Sequence, residues 1–148
     1  MPDKESAVKQ KFEESFPFLA DKVKVVRARR ISLETPYSDF ARVFDFAVNT
    51  AGFNTLCTIT GLDENEKLSL IYHLADSSGI VVNIKTSVPK ENPEVNTITS
   101  YFTAAALYER EMMDLLGIKV SGLPEGKRYP LPDGWPEGSH PLRKDWKA

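Results

Sequence analysis

Apolar positions recur with two different spacings along the chain, and the changes of spacing mark its elements. In residues 3–16, Ala7, Val8, Lys11, Phe12 and Phe16 lie close to a 3.6-residue repeat, which predicts a charged amphipathic helix that Pro17 limits. Val23, Val25 and, less cleanly, Arg27 alternate with Lys24 and Val26, so Val23–Ile31 reads as one strand with a basic far end at Arg27, Arg29 and Arg30. Glu34-Thr35-Pro36 is a helix-start signal. Phe40, Val43, Phe44, Ala47 and Val48 then form one stripe of a helix over Tyr37–Thr50, ended by Gly52. Three strands follow: Asn54–Gly61, Lys67–Ala75 and Ile80–Val88. They are joined by the polar turns Asp63-Glu64-Asn65-Glu66 and Asp76-Ser77-Ser78-Gly79. Pro89–Val95 reads as a loop with two prolines. A third helix lies within Thr97–Leu116, with Tyr101, Ala105, Met112 and Leu116 inward and Gly117 as its left-handed terminator; Ile118–Val120 fits one more short strand.

The pattern predicts an α+β fold, a two-layer domain with a mostly antiparallel sheet covered by helices. This domain is expected over residues 1–118, with an extended Pro/Gly-rich carboxyl-terminal tail over residues 119–148. In the tail Pro124, Pro130, Pro132, Pro136 and Pro141 alternate with Gly122, Gly126, Gly134 and Gly138. Proline lacks an amide donor and glycine loses much entropy on ordering, so neither a helix nor an interior strand can form there. Yet Leu123, Tyr129, Leu131, Trp135, Leu142 and Trp146 are spread along it, and solvated linkers are poor in such side chains. The tail therefore needs a surface, either on its own domain or on a partner.

Composition narrows the class. The 148 residues carry 41% hydrophobic and 27% charged residues and a formal net charge of −2, as expected for one globular domain with little affinity for nucleic acid or anionic membrane. No apolar run is long enough to span a bilayer, and the hydrophilic amino terminus does not read as a signal peptide. An intracellular chain is expected. The single cysteine, Cys57, excludes an internal disulfide and an all-cysteine iron–sulfur cluster, and it reads as a small core side chain.

Candidate chemistry is sparse. Glu111 and Asp114 share a helix face, as paired ligands for a hard cation would. Arg110 lies four residues before Asp114, however, and Glu109 flanks the same turn. A structural ion-pair network is the better reading, with Arg110 on Asp114, Glu111 toward backbone or basic groups and Glu109 outermost. His73 reads as a half-buried sheet residue, and His140 lies in the tail; with one cysteine they make no zinc pattern. Ser38, Ser77 and Ser87 stand in no nucleophile motif, and no glycine-rich phosphate loop occurs. The ending His140-Pro141-Leu142-Arg143-Lys144-Asp145-Trp146, with Trp135 upstream, differs in kind. Apolar plugs around an arginine fork are the chemistry of protein interfaces, so this segment is expected to dock on a partner and to order only there.

Two of these segments also carry a resemblance. Glu109-Arg110-Glu111-Met112-Met113-Asp114-Leu115-Leu116-Gly117-Ile118 resembles the ERE-x-x-D-L-[FL]-G-I signature of the 30 kDa (NuoC-type) subunit of respiratory complex I. Pro141-Leu142-Arg143-Lys144-Asp145 resembles that family's terminal PLRKD, and Gly52-Phe53-Asn54 its lead into the sheet. Gly122-Leu123-Pro124-Glu125 departs from the G-H-P of complex I proteins. The stretch from Gly126 to Gly138 is more similar to the equivalent subunit of energy-converting, membrane-bound nickel–iron hydrogenases. The resemblance implies a non-redox accessory subunit, with no cofactor or active site of its own. It would sit peripherally on the cytoplasmic side of the membrane and bind a large catalytic subunit and a cluster-bearing small subunit. Those partners would carry iron–sulfur clusters and nickel–iron, or a quinone site in the complex I branch, and the membrane arm would be contacted only indirectly. Two readings of other classes stand beside it: a small RNA-binding module using Arg27, Arg29 and Arg30, and a metal-dependent enzyme using Glu111 and Asp114.

Overall fold

A computed structural model describes residues 3–148. Helix α1 (Lys4–Ser15) begins where the carboxylate of Asp3 accepts the Ser6 amide at 2.7 Å, a side-chain cap for one of the open amides of the first turn. Pro17 opens a single 3₁₀ turn, Pro17–Leu19. The segment expected as one strand then folds back on itself as β1 (Val23–Arg27) and β2 (Arg30–Glu34), paired antiparallel with Val23 opposite Leu33 and Val25 opposite Ile31. The hairpin turns through Arg29, at φ 60°, and the pairing slips between Val25 and Arg27. Alternation within a strand looks the same on both arms of a tight hairpin, and no glycine advertised the turn.

Helix α2 (Tyr37–Asp45) continues into a wider π-type turn, Phe46–Thr50, which Gly52 leaves at φ +83°. Its apolar stripe is buried as the spacing predicts, with Phe40, Val43 and Phe44 inside and the Phe40 ring 4.7 Å from that of Tyr72. The long strands β3 (Thr55–Asp63), β4 (Lys67–Ala75) and β5 (Val81–Pro89) follow. The β4–β5 turn is held by Asp76, whose Oδ1 accepts the amides of Ser78 and Ile80, both at 2.9 Å. The five strands form one mostly antiparallel sheet in the order β1-β2-β5-β4-β3; β2 and β5 run parallel, from Arg30 opposite Val81 to Glu34 opposite Lys85.

Within the loop expected at Pro89–Val95, a short strand β6 (Glu94–Asn96) emerges instead and pairs in parallel with β7 (Lys119–Ser121). Helix α3 (Ala105–Leu116) separates them. Tyr101, expected to face inward on that helix, precedes it and is 37% exposed. Cys57, expected in the core, is exposed on β3, the last strand of the sheet. A β-branched neighbourhood marks a strand but does not say which face a given residue takes. His73 is half-buried, with Nδ1 2.7 Å from Asn83 Oδ1.

The chain forms two compact units. The first comprises residues through Thr58 with Ile71–Thr86; the second comprises Ile59–Leu70 with Ser87–Ala148. The first is an aromatic cluster over sheet: Phe12 lies edge-on to Phe46 at 5.2 Å, and Phe16 meets the same ring at 5.3 Å. The second holds α3, the β6–β7 pair and the entire tail, and it carries both segments that the sequence singles out.

Candidate functional site

Helix α3 places its charged residues by simple periodicity. Ala105, Glu109, Met112 and Leu116 fall at i, i+4, i+7 and i+11, one stripe, and all four are buried. Glu109 is therefore an inward residue, only 2% exposed, and not the outermost member of the cluster. Its two oxygens are fully used: Oε1 accepts the Ile98 amide at 2.7 Å and Oε2 the Thr97 hydroxyl at 2.6 Å. Burial pushes the Glu109 carboxyl above its ordinary range, while these two bonds and the charge of Arg110 pull the other way. The residue pins the chain entering α3 to the helix itself. The stripe was legible in the sequence, but a carboxylate within it is easily assigned to solvent.

On the next face, the expected Arg110–Asp114 pair does not form. Asp114 Oδ1 accepts from Arg128 Nε at 3.0 Å and Oδ2 from the Leu131 amide at 3.1 Å, while Arg110 Nη2 donates to the Pro124 carbonyl at 2.9 Å. A cation placed before an acid at i, i+4 is the weaker orientation on a helix and contributes only tenths of a kcal/mol, about 0.2–0.5. The tail brings two well-aimed donors to Asp114 and wins. The Glu111 side chain makes no hydrogen bond or ion pair among the described residues. Each oxygen of Asp114 accepts one N–H donor from the tail, so the carboxylate that could pair with Glu111 is engaged with Arg128 and Leu131. Among the described residues no group of three or more His, Cys, Asp or Glu is placed to hold a metal ion.

The carboxyl end of α3 explains the terminal segment. Gly117 adopts φ +73°, ψ 26°, the left-handed conformation that glycine tolerates best. Its amide reaches the Met113 carbonyl at 3.0 Å, the bond of an αL closure, and the Ile118 amide reaches Met112 at 3.4 Å, with Met112 and Ile118 both buried. Three carbonyls of the last turn remain open, and three donors of the tail close them. His140 Nδ1 donates to Asp114 O at 2.9 Å, which sets the proton on that nitrogen. The Leu142 amide donates to Leu115 O at 2.9 Å, and Arg143 Nε donates to Leu116 O at 2.7 Å. The guanidinium also adds a cation at the negative end of the helix dipole. Glycine at 117 is required for this approach, since a Cβ there would stand 2.6 Å from the His140 ring.

Beyond Arg143 a second attachment follows. Asp63, at the end of β3, has a side chain only 2% exposed; its Oδ2 accepts Lys90 Nζ at 2.7 Å and the Lys144 amide at 2.8 Å, and its Oδ1 the Asn65 amide at 2.8 Å. Burial acts to raise its pKa, but the Lys90 ammonium and the two amides outweigh it and hold the carboxyl at about 2. Upstream, Arg128 Nη1 donates to the Trp135 carbonyl at 2.8 Å. Both indoles converge on Ser139: Trp135 Nε1 donates to its carbonyl at 2.8 Å and Trp146 Nε1 to its hydroxyl at 2.9 Å, with the rings stacked 6.2 Å apart.

The tail is thus tied to its own unit, although the sequence led us to expect order only on a partner. Proline and glycine forbid regular structure, but they do not prevent amides and side chains from seeking the open carbonyls of a helix end. The tail's apolar side chains stay only partly covered. Leu142 is 52% exposed and Asp145 and Lys144 are exposed; Trp135, Pro141 and Trp146 are half-buried. Between α3 and the tail lies an open groove of about 690 Å³, walled by Met113, Val120, Leu123, Lys127 and Tyr129, in which Met113 is 38% and Tyr129 42% exposed.

Known proteins are similar to this chain in sequence and fold. Residues 33–148 match the family described as respiratory-chain NADH dehydrogenase, 30 Kd subunit. An NADH-quinone oxidoreductase subunit of Moorella thermoacetica is 38% identical over 99 residues, 65% of this chain and 66% of that protein. The membrane-bound hydrogenase subunit beta of Pyrococcus furiosus is 33% identical over 90 residues, 58% of this chain and 52% of that protein. The chain thus spans between half and two thirds of the length of these curated relatives. Among solved structures, a chain of the membrane-bound sulfane sulfur reductase, an archaeal respiratory membrane complex, superposes with a TM-score of 0.83 at 25% identity, covering 98% of this chain and 86% of that one. The match takes in α3 and the whole tail together: the chain belongs to the 30 kDa subunit family of the respiratory-chain NADH dehydrogenase.

Proposed function

We propose that this chain is a non-redox accessory subunit of a membrane-associated, complex I-like electron-transfer assembly, and that α3 and its tail form the face presented to the large catalytic subunit. One observation carries the reading: the two family segments lock together at the end of α3, and the large apolar side chains left exposed around that lock include Leu142, Met113 and, from the tail between them, Tyr129. Exposed apolar anchors on a fixed backbone bind with little ordering cost. Among the described residues no helix is long and apolar enough to cross a membrane. In this reading attachment to the membrane arm runs through other subunits, with this one on the cytoplasmic side. The cluster-bearing small subunit, iron–sulfur clusters and the catalytic metal or quinone site belong to the partners in this reading.

Within the family we assign the chain to the nickel–iron hydrogenase branch. The supporting feature is the segment Gly122–Gly138, where Leu123 replaces the histidine typical of complex I proteins. Likeness to a hydrogenase subunit is compatible with this, and likeness to a quinone oxidoreductase subunit keeps the complex I branch as the second reading. The test is affinity purification of the tagged chain from its own cell, with identification of the co-purified large subunit and measurement of nickel. Nickel at about one per large subunit supports the hydrogenase branch. A nickel-free large subunit with quinone reductase activity moves the chain to the complex I branch, and recovery of the chain without any large subunit overturns the accessory-subunit reading.

A further inference from the structure

Several polar groups of the terminal PLRKD segment are spent within the chain, while the Lys144 and Asp145 side chains stay exposed. Three of its donors and its histidine neighbour are already engaged within the chain: His140, Leu142 N–H and Arg143 on the last three carbonyls of α3, and Lys144 N–H on Asp63. Leu142, Lys144 and Asp145 stay exposed, and Leu142 is the one apolar side chain among them, between the half-buried Pro141 and Arg143. We propose that Arg143 and Asp63 are positioning residues, two clasps that close the tail over the carboxyl end of α3 and thereby hold Leu142 out as a fixed plug for an apolar socket on the large subunit. The proposal rests on the accessory-subunit reading for the identity of the socket, but the clasp itself is a property of this chain alone.

The geometry explains why two clasps are needed. Pro141 stiffens the backbone before Leu142, so the direction of the plug is set by what holds the chain on either side of it. On one side His140 is seated against Gly117; on the other, Arg143 spans to Leu116 and Lys144 to Asp63. Asp63 is in turn fixed by Lys90, which also approaches Asp145 at 3.7 Å. Without the arginine, Leu116 O loses its donor, and the segment from Leu142 onward keeps the Leu142 amide on Leu115 O, the Lys144 amide on Asp63 and the Trp146 indole on Ser139.

The chain carries its own reporter. Both of its tryptophans, Trp135 and Trp146, lie in the tail, stacked on each other, and the Trp146 amide donates to the Arg143 carbonyl. Their coupled near-ultraviolet circular dichroism therefore reads tail closure, while the far-ultraviolet signal reads the rest of the fold. We would measure both in the full-length chain alone and score recovery of the large subunit on co-expression. Arg143→Ala is expected to diminish the tryptophan couplet with the far-ultraviolet spectrum kept, lowering the closed-to-open ratio about tenfold, as loss of a charged hydrogen bond does. It should reduce large-subunit recovery in parallel. Arg143→Lys, which keeps a donor for Leu116 O, should restore part of both, and Asp63→Ala should mimic Arg143→Ala. Leu142→Ala should keep the couplet and still lose recovery. If Arg143→Ala keeps the couplet intact while recovery falls, the arginine contacts the partner directly and the positioning role is wrong. If the couplet is lost and recovery is unchanged, tail closure does not present the plug. Should the wild-type chain recover no large subunit at all, the accessory-subunit reading fails, whereas the couplet still decides whether the clasps exist.

Discussion

Glu109 and Asp63 are both buried carboxylates, and their surroundings push them in opposite directions. The folded pKa of Asp63 is depressed to about 2 from an ordinary 3.8, so its contribution to stability is complete above roughly pH 4 and is lost as pH falls toward 2. Acid titration followed by tryptophan signal should show the tail loosening in that window, and Asp63→Asn should remove this part of the pH dependence. Glu109 has a folded pKa raised above 4.5, chiefly by burial. Its contribution is therefore fully present below pH 4.5 and fades as pH rises through the folded value. Glu109→Gln retains an acceptor for the Ile98 amide and turns an NH2 donor toward the Thr97 hydroxyl oxygen, without the buried charge, and is expected to match or exceed the parent's stability at about pH 7 in urea denaturation. Glu109→Ala leaves the Ile98 amide unmet and should cost about 1–3 kcal/mol in the same experiment.

At the scale of the element, α3 depends on two glycines outside its own span. Gly61 in β3 lies under the helix: an added Cβ would meet Leu116 Cδ1 and Met112 Sδ, both at 2.4 Å. Both side chains are buried and have little room to retreat. Gly61→Ala is accordingly expected to overpack this contact and lower stability by about 1–3 kcal/mol in thermal or chemical unfolding. Gly117 closes the helix in the left-handed region and supports the His140 ring. Gly117→Ala should cost at least about 1 kcal/mol from backbone strain, and it should also shift the tail tryptophan signal, because the ring is displaced. A change in stability with no change in that signal would show that His140 is not seated where the geometry puts it.

Across the whole molecule, the tail serves fold and assembly at once. Truncation after Gly122 removes the donors to Asp114 O, Leu115 O and Leu116 O and the Lys144 amide on Asp63. The sequence alone predicts that the rest stays folded. The hydrogen bonds now seen to be lost predict a measurable drop in stability as well, of order 2–4 kcal/mol at about 1 kcal/mol per bond, readable by thermal unfolding. Leu142→Asp separates the two roles. The side chain is 52% exposed and its amide is unaffected, so the fold should hold while large-subunit recovery in a co-purification assay falls.

Much of this protein was legible from its sequence, for physical reasons that also mark where legibility stopped. The α+β class, the apolar stripe of α2, the β4 limits and the Asp76–Gly79 turn follow from side-chain period and turn chemistry, which are local. The family was carried by two short segments, because their residues serve one shared structure. Local information did not reach the hairpin at Arg29, the exposed side of Cys57, or the inward place of Glu109, although the last lay within reach of the helical period. Least accessible was the exchange of partners at α3, where Arg110 gives up Asp114 to Arg128 and a tail rich in proline becomes the helix's cap. Such choices depend on competition between donors 14 to 81 residues apart from the acceptors they reach. Sequence determines which groups need partners; only the folded chain brings the competing donors within reach and decides which one is accepted.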